Sequence, residues 1–264
     1  MKRYIRALFE SFPHAAAESM RLFGMRGFYL AFCAFVLRRV PFAIRSIVCG
    51  PIGSAAEATN FIDNLCLGEL RCETVEKALA AAHAPWIVDI GVNVGLSVRW
   101  WLSQQKTAHV VGVDMFQEAL DFTSQRIRSA GQPVEQWHPV AGAVGESESE
   151  VKINYADPLE GTNSLDNSTG GKSRCVRLDR LDRWLARHAD HPVLLLKIDI
   201  EGAAGSALRG ATETLARTRF VIVETHDEAE TRLASEALMR AGFTQFRVHG
   251  RSMWWESSRA SSQS

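Results

Sequence analysis

The chain has 264 residues, 46% of them apolar and 23% charged, with 30 basic residues matched by 30 acidic ones. These proportions exclude a wholly disordered chain, and a formal net charge of zero excludes a surface that is basic all over and built for nucleic acid. The length allows one large domain, or one domain with an appendage.

Five cysteines, Cys33, Cys49, Cys66, Cys72 and Cys175, form no CxxC and no paired Cys/His spacing. A disulfide scaffold and a structural zinc site are therefore not expected, whereas buried thiols in a reducing compartment are. No segment reaches the roughly 20 apolar residues that span a bilayer. Lys2, Arg3 and Arg6 resemble the start of a signal peptide, but Glu10, Pro13, His14 and Glu18 interrupt its apolar core. A cytoplasmic protein is expected.

Residues 1–50 hold eight basic residues against Glu10 and Glu18, a net charge of +6, and the rest of the chain sums to −6. Phe9, Phe12, Phe23, Phe28, Tyr29, Phe32 and Phe35 interleave with the arginines. The pattern predicts a helix over residues 21–40, stopped near Pro41. Such a helix suits peripheral contact with an anionic membrane at its inner face, and it equally suits packing on the chain's own domain. Residues 55–82 read as one further helix, ended by Pro85.

From Trp86 the pattern changes to alternating strands and helices. Short apolar runs at 86–90, 109–113 and 140–144 read as buried strands, with helices over 96–105 and 116–130 between them. Residues 193–200 and 220–225 are further strands, separated by a helix over 203–217, and a helix over 228–241 follows. Residues 243–249 and 253–256 alternate in strand fashion. Two extra strands at 151–155 and 174–178 flank a polar, glycine-containing stretch. This alternation predicts an α/β fold with a mostly parallel sheet, helices on both faces and an inserted β-hairpin. The Ser-rich tail, 257–264, is expected to be disordered.

Four strand ends carry the chemistry. Asp89-Ile-Gly91-Val-Asn93-Val-Gly95 closes the first strand and opens a helix, where glycines let the backbone approach a ligand and free N–H groups face it. It lacks the second and third glycines of the dinucleotide fingerprint, and Asp89 instead suits a cationic ligand such as a sulfonium amino acid. Asp114 closes the second strand, placed to accept from both hydroxyls of a ribose, with Met115 and Phe116 next to it. Lys197, Asp199 and Glu201 share one side of the fourth parallel strand. Glu224 and His226 close the next. Ligands of open α/β sheets bind at these carboxyl ends.

The ordered set VDIGVNVG, AVG at 143–145, GTNSL at 161–165, VRLDRL at 176–181, LLKIDIEGA at 195–203, LRGA at 208–211 and VIVETH at 221–226 resembles the FkbM-type family of S-adenosylmethionine-dependent methyltransferases. The resemblance covers roughly residues 69–226. It implies a Rossmann-like class I methyltransferase fold with a seven-stranded sheet, and methyl transfer usually to oxygen, often a hydroxyl of a sugar or secondary metabolite. By matching position, Asp89, Gly91, Asn93 and Gly95 form the cofactor loop and Asp114 is the ribose-binding acid; Met115 and Ala143 are expected beside them as further cofactor contacts. Asp199, Glu201 and Gly202 match the strand-end block, and Asp179 matches the acid of the family's LD pair. Two departures stand out: Asp114-Met115 where the family commonly has Glu-Pro, and Ala204 where it commonly has Glu.

The resulting expectation is a methyltransferase domain over residues 69–256 behind a helical lead-in, 1–68. S-adenosyl-L-methionine is its cofactor, and a small molecule or glycan its acceptor. Asp199 or Glu201 orients the acceptor and His226 takes its proton. No metal is expected, because no ligand spacing is evident along the chain. Nucleic acid is not an expected partner. Rival readings are a non-catalytic binding protein on the same fold and an NAD-dependent oxidoreductase.

Overall fold

The computed structural model describes residues 12–13, 16–17, 20, 25–32, 54, 57, 60–66, 68–159 and 171–259. Within 21–40, helix α1 is described over Met25–Phe32, where Met25, Phe28, Tyr29 and Phe32 are exposed. The helix expected over 55–82 is not continuous. A π-helical turn at Ile62–Cys66 ends in a chain reversal, with Glu69 and Leu70 donating N–H bonds back to the Asp63 and Asn64 carbonyls at 3.2 and 3.0 Å. Helix α2 then starts afresh over Glu73–Ala81. None of the helices among the described residues is long and apolar enough to cross a membrane.

The domain proper begins with β1 (Trp86–Ile90), α3 (Leu96–Gln104), β2 (His109–Asp114), α4 (Gln117–Ser129) and β3 (Trp137–Ala141). The third strand thus lies earlier than the apolar run at 140–144 indicates. The Gly142 N–H donates to the Asp114 carbonyl at 2.8 Å and turns the chain out of the sheet. Ala143–Val144 becomes β4 of a separate three-stranded sheet. Its other members are β5 (Ser149–Tyr155) and β6 (Lys172–Asp179), the expected antiparallel hairpin. The GTNSL stretch between them lies outside the described residues.

A short helix α5 (Leu181–Trp184) leads to β7 (Val193–Ile198). The helix expected over 203–217 is two helices, α6 (Ala204–Arg209) and α7 (Thr212–Ala216). The break is fixed by a residue distant in sequence: the Asp182 carboxylate accepts from the backbone N–H of Glu213 and Thr214 at 3.1 and 2.8 Å, so a new helix is capped there. Strand β8 (Thr218–Glu224), helix α8 (Glu228–Arg240) and strands β9 (Phe243–His249) and β10 (Ser252–Ser257) complete the chain.

The main sheet has seven strands in the order β3-β2-β1-β7-β8-β10-β9. All neighbours are parallel except β10, which runs against β8 and β9. Strand order reverses between β1 and β7, which opens a crevice at their carboxyl ends. Alternation distributes the side chains between two cores. Ile87, Val110, Leu195 and Ile222 face α2 and α3 with Trp100 and Trp101. Val88, Val111, Leu196 and Val221 face the other way, against Leu208, Ala234 and Leu238 of α6 and α8. Each such fully buried side chain contributes about 1.5–3 kcal/mol.

Candidate active site

Asp89 and Lys197 lie on the α3 side of the sheet and are paired in register across β1 and β7. Lys197 Nζ sits 3.3 Å from Asp89 Oδ1 and 3.0 Å from Asp199 Oδ2. Burial alone would lower the Lys197 pKa, but Asp199 and Asp89 outweigh it and hold the ammonium protonated. Asp89 has no exposed surface and also accepts a hydrogen bond from the Ser97 hydroxyl. Its carboxylate is thus held rigidly at the base of the glycine loop.

The loop itself is shaped by close approach. Gly91 has φ +82°, and a Cβ there would lie 1.8 Å from the Asp199 carbonyl oxygen. Gly95 has φ +67°, and its Cβ would lie 2.2 Å from Thr123 Oγ1. Between them Asn93 adopts φ 51°, and its Oδ1 is buried without a hydrogen-bond partner. The Asn93 N–H donates to Asp114 Oδ2 and the Phe116 N–H to Asp114 Oδ1, both at 2.9 Å. Burial pushes Asp114 up to about 6, against the pull of those backbone bonds. Loop and ribose-type acid are thus one hydrogen-bonded unit. Met115 packs against a small core containing Phe116 and Ala143. A cradle that excludes any Cβ, a buried amide oxygen lacking a partner and a strand-end acid fit a nucleoside cofactor bearing a cationic amino-acid arm.

Asp199, Glu201, Glu224 and His226 converge beside this cradle at the ends of β7 and β8. His226 Nδ1 lies 3.4 Å from Glu201 Oε2 and 3.2 Å from an Arg251 guanidinium nitrogen. Arg251 also pairs with Glu224 at 2.8 Å. Glu224 is 8% exposed, and burial reinforced by the charge of Asp199 pushes it up to about 7. Glu201 is raised as well, chiefly by burial. Glu230 accepts from the His226 N–H at 2.9 Å and from the Ala204 N–H at 3.2 Å, tying α6 to the histidine-bearing turn.

Asp179, matched to the family's LD pair, stands apart from this group: it ends β6, is 1% exposed, and accepts from Arg177 at 2.7 Å and from the Arg180 N–H at 2.8 Å. Arg251, on the turn between β9 and β10, is a site residue the sequence reading missed. A buried triad was also missed: Glu57 pairs with Arg99 of α3 at 3.0 Å and Arg126 of α4 at 2.8 Å, fastening the lead-in to the domain.

A family model described as the methyltransferase FkbM domain matches residues 89–245, more than half of the chain. No curated protein matches it. Among solved structures, a methyltransferase FkbM from Methylobacillus flagellatus KT is 14% identical with a TM-score of 0.48. That comparison covers 95% of this chain and 60% of the other, so the present chain spans about three fifths of that protein's length. A precorrin-6y C5,15-methyltransferase from Geobacter metallireducens GS-15 is 8% identical, with 69% and 83% covered and a TM-score of 0.40. A fibrillarin from Aeropyrum pernix, in complex with natively bound S-adenosyl-L-methionine, is 12% identical, with 72% and 76% covered and a TM-score of 0.42. The mostly parallel seven-stranded sheet is the class I methyltransferase architecture that the resemblance implied, and the family's S-adenosylmethionine fits the cradle just described. By its matched domain, the chain belongs to the FkbM methyltransferase family.

Proposed function

We propose that this methyltransferase acts on a hydroxyl oxygen of a sugar or secondary-metabolite acceptor. The observation that carries the proposal is the juxtaposition of two groups. The Gly91 turn of the cofactor cradle touches the Asp199 end of β7, so the cradle abuts the carboxylate and imidazole cluster. S-adenosylmethionine supplies an activated methyl group when bound. The chain's own residues must then position a hydroxyl and receive its proton, since a neutral alcohol is a poor nucleophile. Asp114 and the Asn93 loop hold the cofactor's nucleoside end. Asp199 and Glu201 orient the acceptor, and Glu201, His226 and Glu224 are the groups that can take up the proton.

The test is a screen of cell-extract fractions with methyl-labelled S-adenosylmethionine, with and without the enzyme. A labelled hydroxylated product that disappears in Asp199→Asn and His226→Ala is expected. Both variants should still bind S-adenosylhomocysteine. Full turnover in both variants would overturn the residue assignment. Label confined to nitrogen or carbon would overturn the acceptor class. Cofactor binding with no labelled product in any fraction would favour a non-catalytic role. A thermal shift with NAD but none with S-adenosylhomocysteine would favour an oxidoreductase.

A further inference from the structure

Among the described residues, Asp199, Glu224 and His226 each bring one possible ligand atom to within 4.8 Å of the others. Asp199 and Glu224 stand just beyond and at the ends of two adjacent parallel strands, β7 and β8, and His226 follows two residues later. The set is mixed, two carboxylates and one imidazole, in the part of the fold that is half-buried or buried.

His226 itself points to an absent partner. Its Nδ1 already faces Arg251 and Glu201, at 3.2 and 3.4 Å, while Nε2 is buried and makes no hydrogen bond. The deficit holds for either tautomer. If Arg251 donates to Nδ1, the proton lies on Nε2 with no acceptor. If Nδ1–H donates to Glu201, Nε2 presents a lone pair with no donor. The second form, an imidazole oriented by a carboxylate through one nitrogen and open at the other, is the arrangement metal-ligating histidines adopt.

Charge favours the same partner. Four carboxylates, Asp89, Asp199, Glu201 and Glu224, gather at this edge with two side-chain cations, Lys197 and Arg251. Lys197 contacts Oδ2 of Asp199, and Arg251 contacts Oε1 of Glu224 and lies 3.2 Å from Nδ1 of His226, so a bound cation would use the second carboxylate oxygens and Nε2.

We propose that Asp199, Glu224 and His226 bind one divalent cation at the carboxyl edge of the sheet. Two oxygens and one imidazole nitrogen suit a first-row ion of intermediate hardness such as Mn²⁺ better than Ca²⁺, which takes six to eight oxygens. Three protein ligands leave positions open for water or for an acceptor oxygen. That last role rests on the proposed hydroxyl acceptor. With a cation bound, His226 serves as ligand, Glu201 orients its ring, and proton uptake falls to Glu201.

The experiment is a titration of the EDTA-treated full chain with Mn²⁺, without cofactor, followed through the spectrum of the free ion. Saturable binding of one Mn²⁺ per chain is expected. His226→Ala and the isosteric Glu224→Gln should each weaken it about ten-fold or more. Melting curves and S-adenosylhomocysteine binding of the same variants establish that they are folded. The proposal is overturned if the folded wild type binds no Mn²⁺ saturably, or if both folded variants bind it as tightly as the wild type. Methyl transfer is scored separately, so Mn²⁺ binding without transfer refutes the functional reading while supporting the cation site.

Discussion

Lys197→Met tests whether a buried ionic row underlies the cofactor loop. Methionine keeps the unbranched stem but removes the ammonium that stands 3.3 Å from Asp89 and 3.0 Å from Asp199. Lys197 is 4% exposed and Asp89 wholly buried, so water cannot take the place of the lost cation. Removing one partner of a buried pair destabilises by about 3–5 kcal/mol. At about 2–4 °C per kcal/mol for a domain of this class, melting should fall by about 10 °C near pH 8. The pH dependence has a definite sign. Burial already holds Asp89 above its ordinary value despite Lys197, and loss of Lys197 raises it further. An acid whose folded pKa exceeds its unfolded one favours folding at low pH, and that contribution is lost as pH rises through the folded pKa. The variant's deficit must therefore shrink between about pH 8 and pH 5. Melting curves of both proteins at the two pH values check this. A deficit under about 2 °C at pH 8, or one unchanged at pH 5, would refute the reasoning.

Gly91→Ala should abolish S-adenosylhomocysteine binding, measured by calorimetry, because the new Cβ would lie 1.8 Å from the Asp199 carbonyl at φ +82°. Affinity within about three-fold of wild type would contradict the close-approach argument. Glu57→Ala leaves the fully buried Arg99 without its 3.0 Å partner and should lower stability by about 3–5 kcal/mol in urea unfolding. A midpoint unchanged in the variant would show that the lead-in is not fastened by this triad. His138 is pushed down to about 4, first by burial and then by His188, His109 and His191. Its folded form favours the neutral ring, so stability present above about pH 6.5 is lost as pH falls toward 4. The full shift corresponds to about 3 kcal/mol, reduced to about 1–2 by solvent around a half-buried ring. His138→Phe should therefore show a smaller acid-induced drop in melting temperature than the wild type.

Much of this architecture was legible because it is written at short range. A short apolar run followed by a helix repeats from Trp86 onward, and that alternation alone places Asp89, Asp114, Asp199 and Glu224 at strand ends on one edge. What escaped depends on contacts between distant residues. The break at residues 210–211 follows from Asp182 capping a helix some thirty residues away, a bond no local propensity encodes. Gly142 leaves the sheet because the Asp114 carbonyl claims its N–H, so the apolar run at 140–144 is divided between two sheets. The pairing of Asp89 with Lys197 likewise depends on register between β1 and β7, which no local pattern encodes. Asp199, Glu224 and His226 have no ligand-like spacing along the chain. They meet only because β7 and β8 are adjacent and parallel. Arg251 lies on a turn with no motif around it.

The zero net charge of the chain conceals a polar division along the sheet. At the amino-terminal edge Trp86 stacks with His109 and His191, ring centroids 4.6 and 4.1 Å away, and His138 and His188 close the cluster. Lowered pKa values at His109, His138 and His188 keep that edge neutral at ordinary pH. The strand middles are apolar on both faces. Carboxylates gather at the carboxyl edge, where Asp63 and Glu69 add to the four already counted and feel the same Arg251. Protein walls of low dielectric strengthen every interaction there. An edge where carboxylates outnumber the side-chain cations Lys197 and Arg251 attracts cations, whether a sulfonium, an ammonium or a metal ion. Added salt should accordingly weaken cofactor binding while leaving the affinity for a neutral acceptor nearly constant.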